Sequence, residues 1–255
     1  MKVRILGCSG GIGGRHLRTT SILVDHDILI DCGTGVADLS IAELAQIDHV
    51  FLTHSHMDHI ACLPLMVDTV GDMRNRPLIV HALPATEQIL RNHIFNWAIW
   101  PDFTEIPSAT AAWLRFENIA VGEEINLHGR RIVPLSANHT VPSVAFQLDS
   151  GTSSLVFSGD TGPSPQFWEA VNAIGNLKKL LIETAFSNRE RRLAEASLHL
   201  CPSMLLEELR YMQSAPEIYI THLKPGQIEL TMAEIEDSIG ELRPRMLQNN
   251  QVFEL

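Results

Sequence analysis

The chain has 255 residues, of which 45% are hydrophobic and 19% are charged, a composition typical of a globular protein in water. Its 30 acidic and 19 basic residues leave a formal net charge of -11, which disfavours a nucleic-acid partner because Lys and Arg hold phosphate backbones. The N-terminal MKVRILGCSGG has too few apolar residues for a signal-peptide core, and no run approaches the roughly 20 apolar residues of a membrane span. We therefore expect a cytoplasmic protein that contacts no membrane.

The cysteines lie far apart in the sequence, and no two of them form a CxxC pair. They are Cys8, Cys32, Cys62 and Cys201. This spacing indicates neither a zinc finger nor a disulfide framework, so we expect reduced thiols.

Apolar periodicity predicts strands and helices that alternate through the first half of the chain. Strands are predicted at 3–6, 21–25, 27–31, 49–53 and 77–82, and helices at 37–46, 59–73 and 86–95. Pro64 limits where the helix within 59–73 begins. The stretch GCSGGIGG follows the first strand but precedes no helical pattern. It therefore lacks the helix N-terminus of a phosphate-binding loop, and we interpret it as a tight turn.

In the second half, predicted strands follow one another without an intervening helix, near 113–117, 123–128, 130–137, 144–149 and 153–160. Helices at 164–174, 202–212 and 230–242 then alternate with strands at 178–184, 217–225 and 251–255. Consecutive strands do not suit a purely parallel doubly wound sheet, whereas two sheets with helices outside them accommodate this order. Because no linker, repeat or low-complexity segment interrupts the pattern, residues 1–255 are predicted to form a single domain.

A cluster of histidines follows the predicted strand at 49–53, in the stretch THSHMDH. Side chains at i and i+2 of an extended segment point the same way, so His54 and His56 can bind one ion together. Asp58 and His59 lie at the turn into the next helix and suit a second ion nearby. Neutral imidazoles and carboxylates are ligands of zinc and other divalent metals. The alternative, a loop of solvated polar residues, is disfavoured because HxHxDH directly follows a buried strand.

Three more candidate ligands occur just past apolar strands, namely His139, Asp160 and His222. Each of them alone is explained equally well as an ordinary loop residue. Together with the histidine motif, they predict a metal site at the edge where several strands converge.

The order of THSHMDH, a single later histidine, SGD and a late THL, with DCGTG before them, resembles the metallo-β-lactamase superfamily over essentially the whole chain. The resemblance implies an α/β fold, the αββα sandwich, in which two mixed β-sheets carry helices on their outer faces. The implied ligands are His54, His56 and His139 for a first metal, Asp58, His59 and His222 for a second, and Asp160 bridging both. Two divalent ions are therefore expected, with zinc preferred and manganese or iron as alternatives.

In such a site the metals hold a hydroxide for in-line attack, and Asp58 is expected to hydrogen-bond this nucleophile as well as bind metal. Glu183 and His199 resemble the glutamate–histidine pair of the phosphodiesterase branch of the superfamily. We predict that His199 is the general acid for the leaving group and that Glu183 orients it. A helix-capping histidine before Pro202 is the alternative for His199.

The longer stretch HSHMDHIACLPLMVD resembles the signature of class II cyclic-nucleotide phosphodiesterases. Further matches in the same order are HIFNWAIWPDF, NHTVPSVAF, SGDTGPS, SLHLCP and THLKP. Cys62 departs from the glycine that is usual at its position. The resemblance implies hydrolysis of a small-molecule 3′,5′-cyclic nucleotide, cAMP or cGMP, to the 5′-monophosphate, and it implies a homodimer.

A cyclic nucleotide needs a surface for its base and a site for its phosphate. Trp97 and Trp100 are expected to stack the base, which is worth about 1–3 kcal/mol per base. Burial in a core or a dimer contact explains these tryptophans equally well. Lys224 is expected to contact a phosphate oxygen, with an exposed surface lysine as the alternative.

Other functions are compatible with parts of this pattern. A tRNA 3′-processing endonuclease of the same superfamily shares the seven ligands and the Glu–His pair. Those enzymes carry a basic arm, whereas the segment 93–116 is aromatic and the chain is acidic. A non-catalytic metal-binding interaction protein would not need the complete ligand set together with His199 and Glu183. Hydrolysis of a lactone or a thioester is the remaining option.

Overall fold

The computed structural model describes residues 1–14 and 16–255. The strands are β1 Lys2–Gly7, β2 Ser21–Val24, β3 Ile28–Ile30, β4 His49–Phe51, β5 Leu78–Ala82, β6 Leu114–Asn118, β7 Ile125–Leu127, β8 Arg130–Ser136, β9 Val144–Asp149, β10 Ser154–Phe157, β11 Leu177–Glu183, β12 Glu217–Thr221, β13 Arg245–Met246 and β14 Val252–Glu254. The α-helices are α1 Ile41–Leu44, α2 Met57–Ile60, α3 Leu63–Val70, α4 Pro84–His93, α5 Pro165–Asn172, α6 Arg191–Ser197, α7 Pro202–Leu209 and α8 Ile228–Ile239. None of the helices within these residues is long and apolar enough to cross a bilayer.

The strands form two seven-stranded sheets, in the orders β14-β1-β2-β3-β4-β5-β6 and β13-β12-β11-β10-β9-β8-β7. In the first sheet β14 to β3 pair antiparallel and β3 to β6 pair parallel. In the second sheet β7 to β10 pair antiparallel and β10 to β13 pair parallel. Both sheets are therefore mixed, which confirms the predicted fold class.

Alternating side chains divide the apolar residues of each strand between two layers. In β1, Val3 and Ile5 belong to the core between the sheets, which also contains Phe146 and Leu181 of the second sheet. Leu6 faces the opposite way, into a second core beneath the helices of the first half of the chain. A third core packs α5 to α8 against the outer face of the second sheet. This arrangement of helix, sheet, sheet and helix layers is the predicted αββα sandwich.

Two predicted helices differ from the structure. The segment 37–46 is reduced to a 3₁₀ turn at Thr34–Asp38 and the single turn α1, because Ser40 and Glu43 form a capping box that starts a helix only at Ile41. The segment 59–73 is two helices, since Pro64 occupies the first turn of α3, where its missing N–H is tolerated. The short elements α6 and β13 have no matching prediction.

The glycine-rich stretch after β1 has no helix behind it in the described residues up to β2, which confirms its interpretation as a turn. Ser9 makes bridges to both Thr19 and Leu223. Gly10 lies against the last histidine of the motif set, because a Cβ there would stand 2.4 Å from the carbonyl oxygen and 2.8 Å from Cδ2 of His222. The turn therefore borders the edge of the sandwich at which His222 lies.

His81 in β5 predicts a loss of stability in acid. It is 2% exposed, stacks on Phe51 and pairs with His49 Nδ1 through Nε2 at 3.0 Å. Burial lowers the pKa of His81 in the folded chain to about 3, whereas the pKa of a histidine in the unfolded chain is about 6.5. Between these two pH values only the unfolded chain binds the proton, and this favours unfolding. The contribution of His81 is present above pH 6.5 and is lost as pH falls toward 3. We expect about 2 kcal/mol less stability from this group at pH 5 than at pH 7.5.

Urea denaturation of the protein and of His81→Gln, at equal metal content and at both pH values, measures this contribution. The glutamine keeps a polar partner for His49 but does not titrate. A smaller loss between pH 7.5 and pH 5 in the variant is the expected result. An identical loss in both proteins would show that other groups cause the acid sensitivity.

Candidate metal centre

The two sheets meet at one edge, where strands of both end next to polar side chains. Thr53 follows β4, and its carbonyl oxygen accepts a hydrogen bond from Val144 N of β9 at 3.0 Å. His222 follows β12, and its amide donates to Cys8 O at 2.8 Å. Parallel strands place their carboxyl ends at the same edge, so the loops after β4, β10 and β12 converge there.

The predicted metal ligands form two groups that share one carboxylate. Within each group the ligand atoms lie within 4.8 Å of one another. The first group is His54, His56, His139 and Asp160, and the second is Asp58, His59, Asp160 and His222. The structure thus brings all seven residues together, in the partition that the family resemblance implies.

Asp160 lies between the two groups. Its Oδ2 is 3.3 Å from His59 Nε2 and 3.7 Å from His54 Nε2, and its Oδ1 is 3.1 Å from His222 Nδ1. His222 Nε2 lies 3.7 Å from Asp58 Oδ2. In the first group, His139 Nε2 is 3.1 Å from His56 Nδ1. A single carboxylate therefore reaches ligands of both groups.

Several of these atoms are buried without a hydrogen-bond partner, namely His54 Nε2, His59 Nε2, Asp160 Oδ1 and His222 Nδ1. A buried polar atom without a partner costs about 1–3 kcal/mol, so four at one point need a common explanation. A divalent cation supplies one, because imidazole nitrogens and carboxylate oxygens are its ligands. The residues present therefore fit two divalent metal ions.

Burial keeps most of the imidazoles in the neutral form that binds metal. It lowers the pKa of His139 to about 4 and that of His222 to about 3, and it holds the pKa of His54 well below the usual value. Burial alone would raise the pKa of Asp160, but the surrounding imidazoles, His222 and His59 foremost, hold it well below the usual range. At neutral pH these groups are therefore ready to act as ligands.

His59 is the exception. Burial alone would lower its pKa, but Asp160 and Asp31 raise it well above the usual value. Asp31 Oδ2 accepts a hydrogen bond from His59 Nδ1 at 2.7 Å, which leaves Nε2 to face Asp160. Metal binding at the second group must therefore displace a proton from His59.

Three residues at this edge have a left-handed backbone conformation. Asp31, Leu198 and His222 have φ values of 59°, 53° and 60°, which non-glycine residues rarely adopt. Leu198 O accepts a hydrogen bond from His139 Nδ1 at 3.0 Å, so this strained residue orients a ligand. The residue before Asp160 is Gly159, with φ 58°, where a Cβ would stand 3.0 Å from Thr53 Cγ2. The backbone conformation at these positions thus sets where the side chains of Asp31, His222 and Asp160 and the carbonyl oxygen of Leu198 point.

His199 lies beside the two ligand groups and is only 6% exposed. Its ring stacks on that of His222 with centroids 5.3 Å apart, and the centroid of His139 is 4.9 Å away. Its Nδ1 donates to Glu183 Oε1 at 2.7 Å. The amides of Thr161, Ala185 and Leu200 also donate to this carboxylate, at 3.1, 3.0 and 3.3 Å. Glu183 is therefore held rigidly and orients His199 toward the ligands.

Of the three residues predicted to bind substrate, Lys224 lies beside the metal centre, whereas Trp97 and Trp100 do not contact it. Lys224 Nζ donates to Gly10 O at 2.7 Å and lies 3.5 Å from His222 Nε2, so it borders the metal centre. Trp97 is 61% exposed, and Trp100 packs partly against the core under the first sheet. Among the described residues, neither indole makes a ring contact or hydrogen bond with a member of the two groups. The role of both tryptophans stays a prediction.

Sequence reasoning missed Asp31, Thr53 and Leu198 as parts of this centre. Asp31 opens the DCGTG stretch and Thr53 precedes the histidine motif, so position beside a motif was the available signal. Leu198 carries no such signal, because only its carbonyl oxygen takes part.

Comparison with known proteins agrees with the fold. Residues 26–223 match the Beta-lactamase superfamily domain. A probable 3′,5′-cyclic-nucleotide phosphodiesterase from Yersinia pestis is 26% identical, over 88% of this chain and 78% of that protein. A ribonuclease Z from Halorubrum lacusprofundi is 26% identical over 58% of this chain and 47% of that protein.

Among solved structures, unliganded yeast PDE1 superposes with a TM-score of 0.81 at 18% identity, covering 100% of this chain and 99% of that one. At this identity the likeness shows the fold. The domain match covers far more than half of the residues, and it includes all seven of the potential ligands described above. The chain therefore belongs to the metallo-β-lactamase superfamily of metal-dependent hydrolases, and within it resembles the 3′,5′-cyclic-nucleotide phosphodiesterases.

Proposed function

We propose that this protein hydrolyses 3′,5′-cyclic nucleotides, cAMP or cGMP, to 5′-nucleoside monophosphates. One observation carries the proposal: the seven potential ligands lie directly beside the His199–Glu183 pair. The ring of His199 stacks on that of His222, and its Nδ1 is bonded to Glu183, so ligands and pair form one continuous cluster. The similarity to a cyclic-nucleotide phosphodiesterase extends over 88% of the chain, and this extent supports the substrate class.

The two ligand groups would hold two divalent ions, with zinc preferred and manganese or iron as alternatives. When bound, such ions supply a hydroxide nucleophile at neutral pH and neutralise charge on phosphoryl oxygens. Asp58 is more exposed than Asp160, the other carboxylate of the groups, and its oxygens make no hydrogen bond with the described part of the chain. It is thus placed to hydrogen-bond the nucleophile as well as to bind metal.

His199 has the position and the partner of a general acid. Its Nδ1 proton is engaged by Glu183, which leaves Nε2 as the atom that can carry and deliver a second proton. Burial alone would lower the pKa of His199, but Glu183 raises it above the usual value, which favours the protonated form that an acid needs. We assign it the protonation of the departing 3′-oxygen.

Lys224 is the cationic side chain that borders the metal centre, and it suits contact with a phosphate oxygen. The exposed face of Trp97 could stack a base, and Trp100 would support the segment that carries it. Both assignments rest on exposure and chemistry, and each is tested by its effect on KM.

A ribonuclease Z-like activity is the second candidate, because relatives with that name match the chain over 58% of its length. A tRNA substrate requires a basic surface. The segment 93–116 carries two acidic residues and a single arginine, and the formal net charge of the chain is -11. These charges favour the small cyclic substrate.

The test is hydrolysis of 3′,5′-cAMP, 3′,5′-cGMP and a tRNA precursor by metal-replete protein, each with and without a chelator. Chelator-sensitive release of 5′-AMP or 5′-GMP with intact tRNA is the expected result. Cleavage of the tRNA alone would assign the second candidate function. Full metal loading without hydrolysis of any substrate would overturn both and favour a non-catalytic metal-binding protein.

A further inference from the structure

The hydroxyl of Thr53 lies between ligands of the two metal groups. Its Oγ1 is 2.9 Å from His54 Nδ1 and 3.0 and 2.8 Å from Asp31 Oδ1 and Oδ2. Asp31 Oδ2 in turn accepts from His59 Nδ1 at 2.7 Å. Thr53, Asp31 and both histidines are fully buried. A continuous hydrogen-bonded chain therefore runs from His54 through Thr53 and Asp31 to His59.

The direction of each hydrogen bond in this chain follows from the groups present. A buried carboxylate accepts only, so the Thr53 hydroxyl must donate its one proton to Asp31. The lone pairs of Thr53 Oγ1 can then only accept, and His54 must carry its proton on Nδ1. His59 likewise donates Nδ1–H to Asp31. Both imidazoles therefore present Nε2 to the ligand groups, and these are the buried Nε2 atoms without a partner. For His59, Nε2 is the nitrogen that gives up its proton when metal binds, because Nδ1–H stays engaged by Asp31.

His54 and His59 belong to different ligand groups. We propose that Thr53 is a positioning residue whose hydroxyl, acting through Asp31, sets the tautomer and ring orientation of one imidazole in each group, so that both metal positions depend on one side chain. Partners that hold a ligating histidine change metal affinity by about 10- to 100-fold. The proposal concerns metal binding alone and does not depend on the substrate.

Thr53 offers variants that separate its hydroxyl from its other contacts. Its backbone oxygen binds Val144 N, and its methyl group packs at Gly159, the residue before Asp160. Thr53→Val keeps the shape and the methyl group but removes the hydroxyl. Thr53→Ser keeps the hydroxyl and removes the methyl group. The comparison therefore distinguishes hydrogen bonding from packing.

The experiment is titration of chelator-stripped protein with Zn²⁺ against a chromogenic chelator, and with Co²⁺ followed by its visible absorption. We expect Thr53→Val to weaken both binding steps by about 10- to 100-fold. Thr53→Ser should recover most of this loss. The matched control is Thr69→Val, which removes an exposed hydroxyl that bonds only Leu65 O within α3; it should leave both steps unchanged.

Weakening of a single step in Thr53→Val, or equal losses in the valine and serine variants, would overturn the proposal. Asp31→Asn is the second variant, for use if Thr53→Val does not fold. An asparagine must turn its NH₂ toward either the Thr53 amide or His59 Nδ1, both of which are donors. It should therefore also weaken both steps, and a loss confined to the His59 group would contradict a shared role.

Discussion

Asp160→Ala is expected to abolish phosphodiester hydrolysis and to remove most of the bound metal. Asp160 is the carboxylate common to both ligand groups, and its oxygens lie 3.1 to 3.7 Å from His222, His59 and His54. Alanine removes the carboxylate that the two ligand groups share, so both metal positions lose an anionic ligand. We expect turnover to fall by at least about 1,000-fold, which corresponds to about 4 kcal/mol of barrier.

Metal content by mass spectrometry and turnover of cAMP, measured on the same sample, test this expectation. Asp237→Ala removes an exposed carboxylate from α8 and serves as the matched control. Thermal unfolding of both variants in the metal-free state shows whether the fold persists. An Asp160→Ala protein with full metal content and full turnover would refute the two-metal interpretation of the centre.

His199→Ala is expected to reduce kcat by about 100- to 10,000-fold while both metals stay bound. The ring of His199 contacts those of His139 and His222, but its Nδ1 is engaged by Glu183. Removal of a general acid slows departure of the leaving group without removing a ligand. Metal content, kcat and KM of the variant are the measurements, with the exposed His26→Ala as control.

The pH profile adds a readout specific to an acid. Burial alone would lower the pKa of His199, but the charge and hydrogen bond of Glu183 raise it above its usual value. Since the protonated form is active, kcat of the unchanged protein should fall as pH rises through that pKa. This alkaline decline should be absent in His199→Ala.

A further alternative for His199 is a direct role in metal binding, because Asp160, Glu183 and His199 also form a close group. In that case His199→Ala would lose metal in proportion to activity. That outcome would remove the residue from the acid step and leave the leaving group without an assigned proton donor.

Much of this protein follows from local pattern in the sequence. Alternation of apolar residues placed nearly every long strand, since one face of each strand packs between the sheets and the other beneath helices. The spacing of His54 and His56 predicted a shared ion because extended residues two apart point the same way. The partition of the remaining ligands came from resemblance to a family, and the structure groups them in that way.

Boundaries of short helices depend on caps and turns whose energies are small, and periodicity predicted them less well. The segment 37–46 has helical spacing, yet the Ser40–Glu43 capping box limits its α-helix to one turn. The helix α6 buries only Ala194 and so shows little apolar periodicity.

The sequence by itself indicated two sheets with outer helices and a cluster of candidate ligands after one buried strand, because strand periodicity and a dense histidine motif are local signals, and resemblance to a family supplied the rest of the ligand set. Only the tertiary structure decided what orients those ligands. Asp31 meets His59 across 28 positions of sequence, and His139 meets the carbonyl oxygen of Leu198 across 59. Such contacts depend on how two sheets pack and on strained backbone at Asp31 and Leu198, and no short stretch of sequence encodes either.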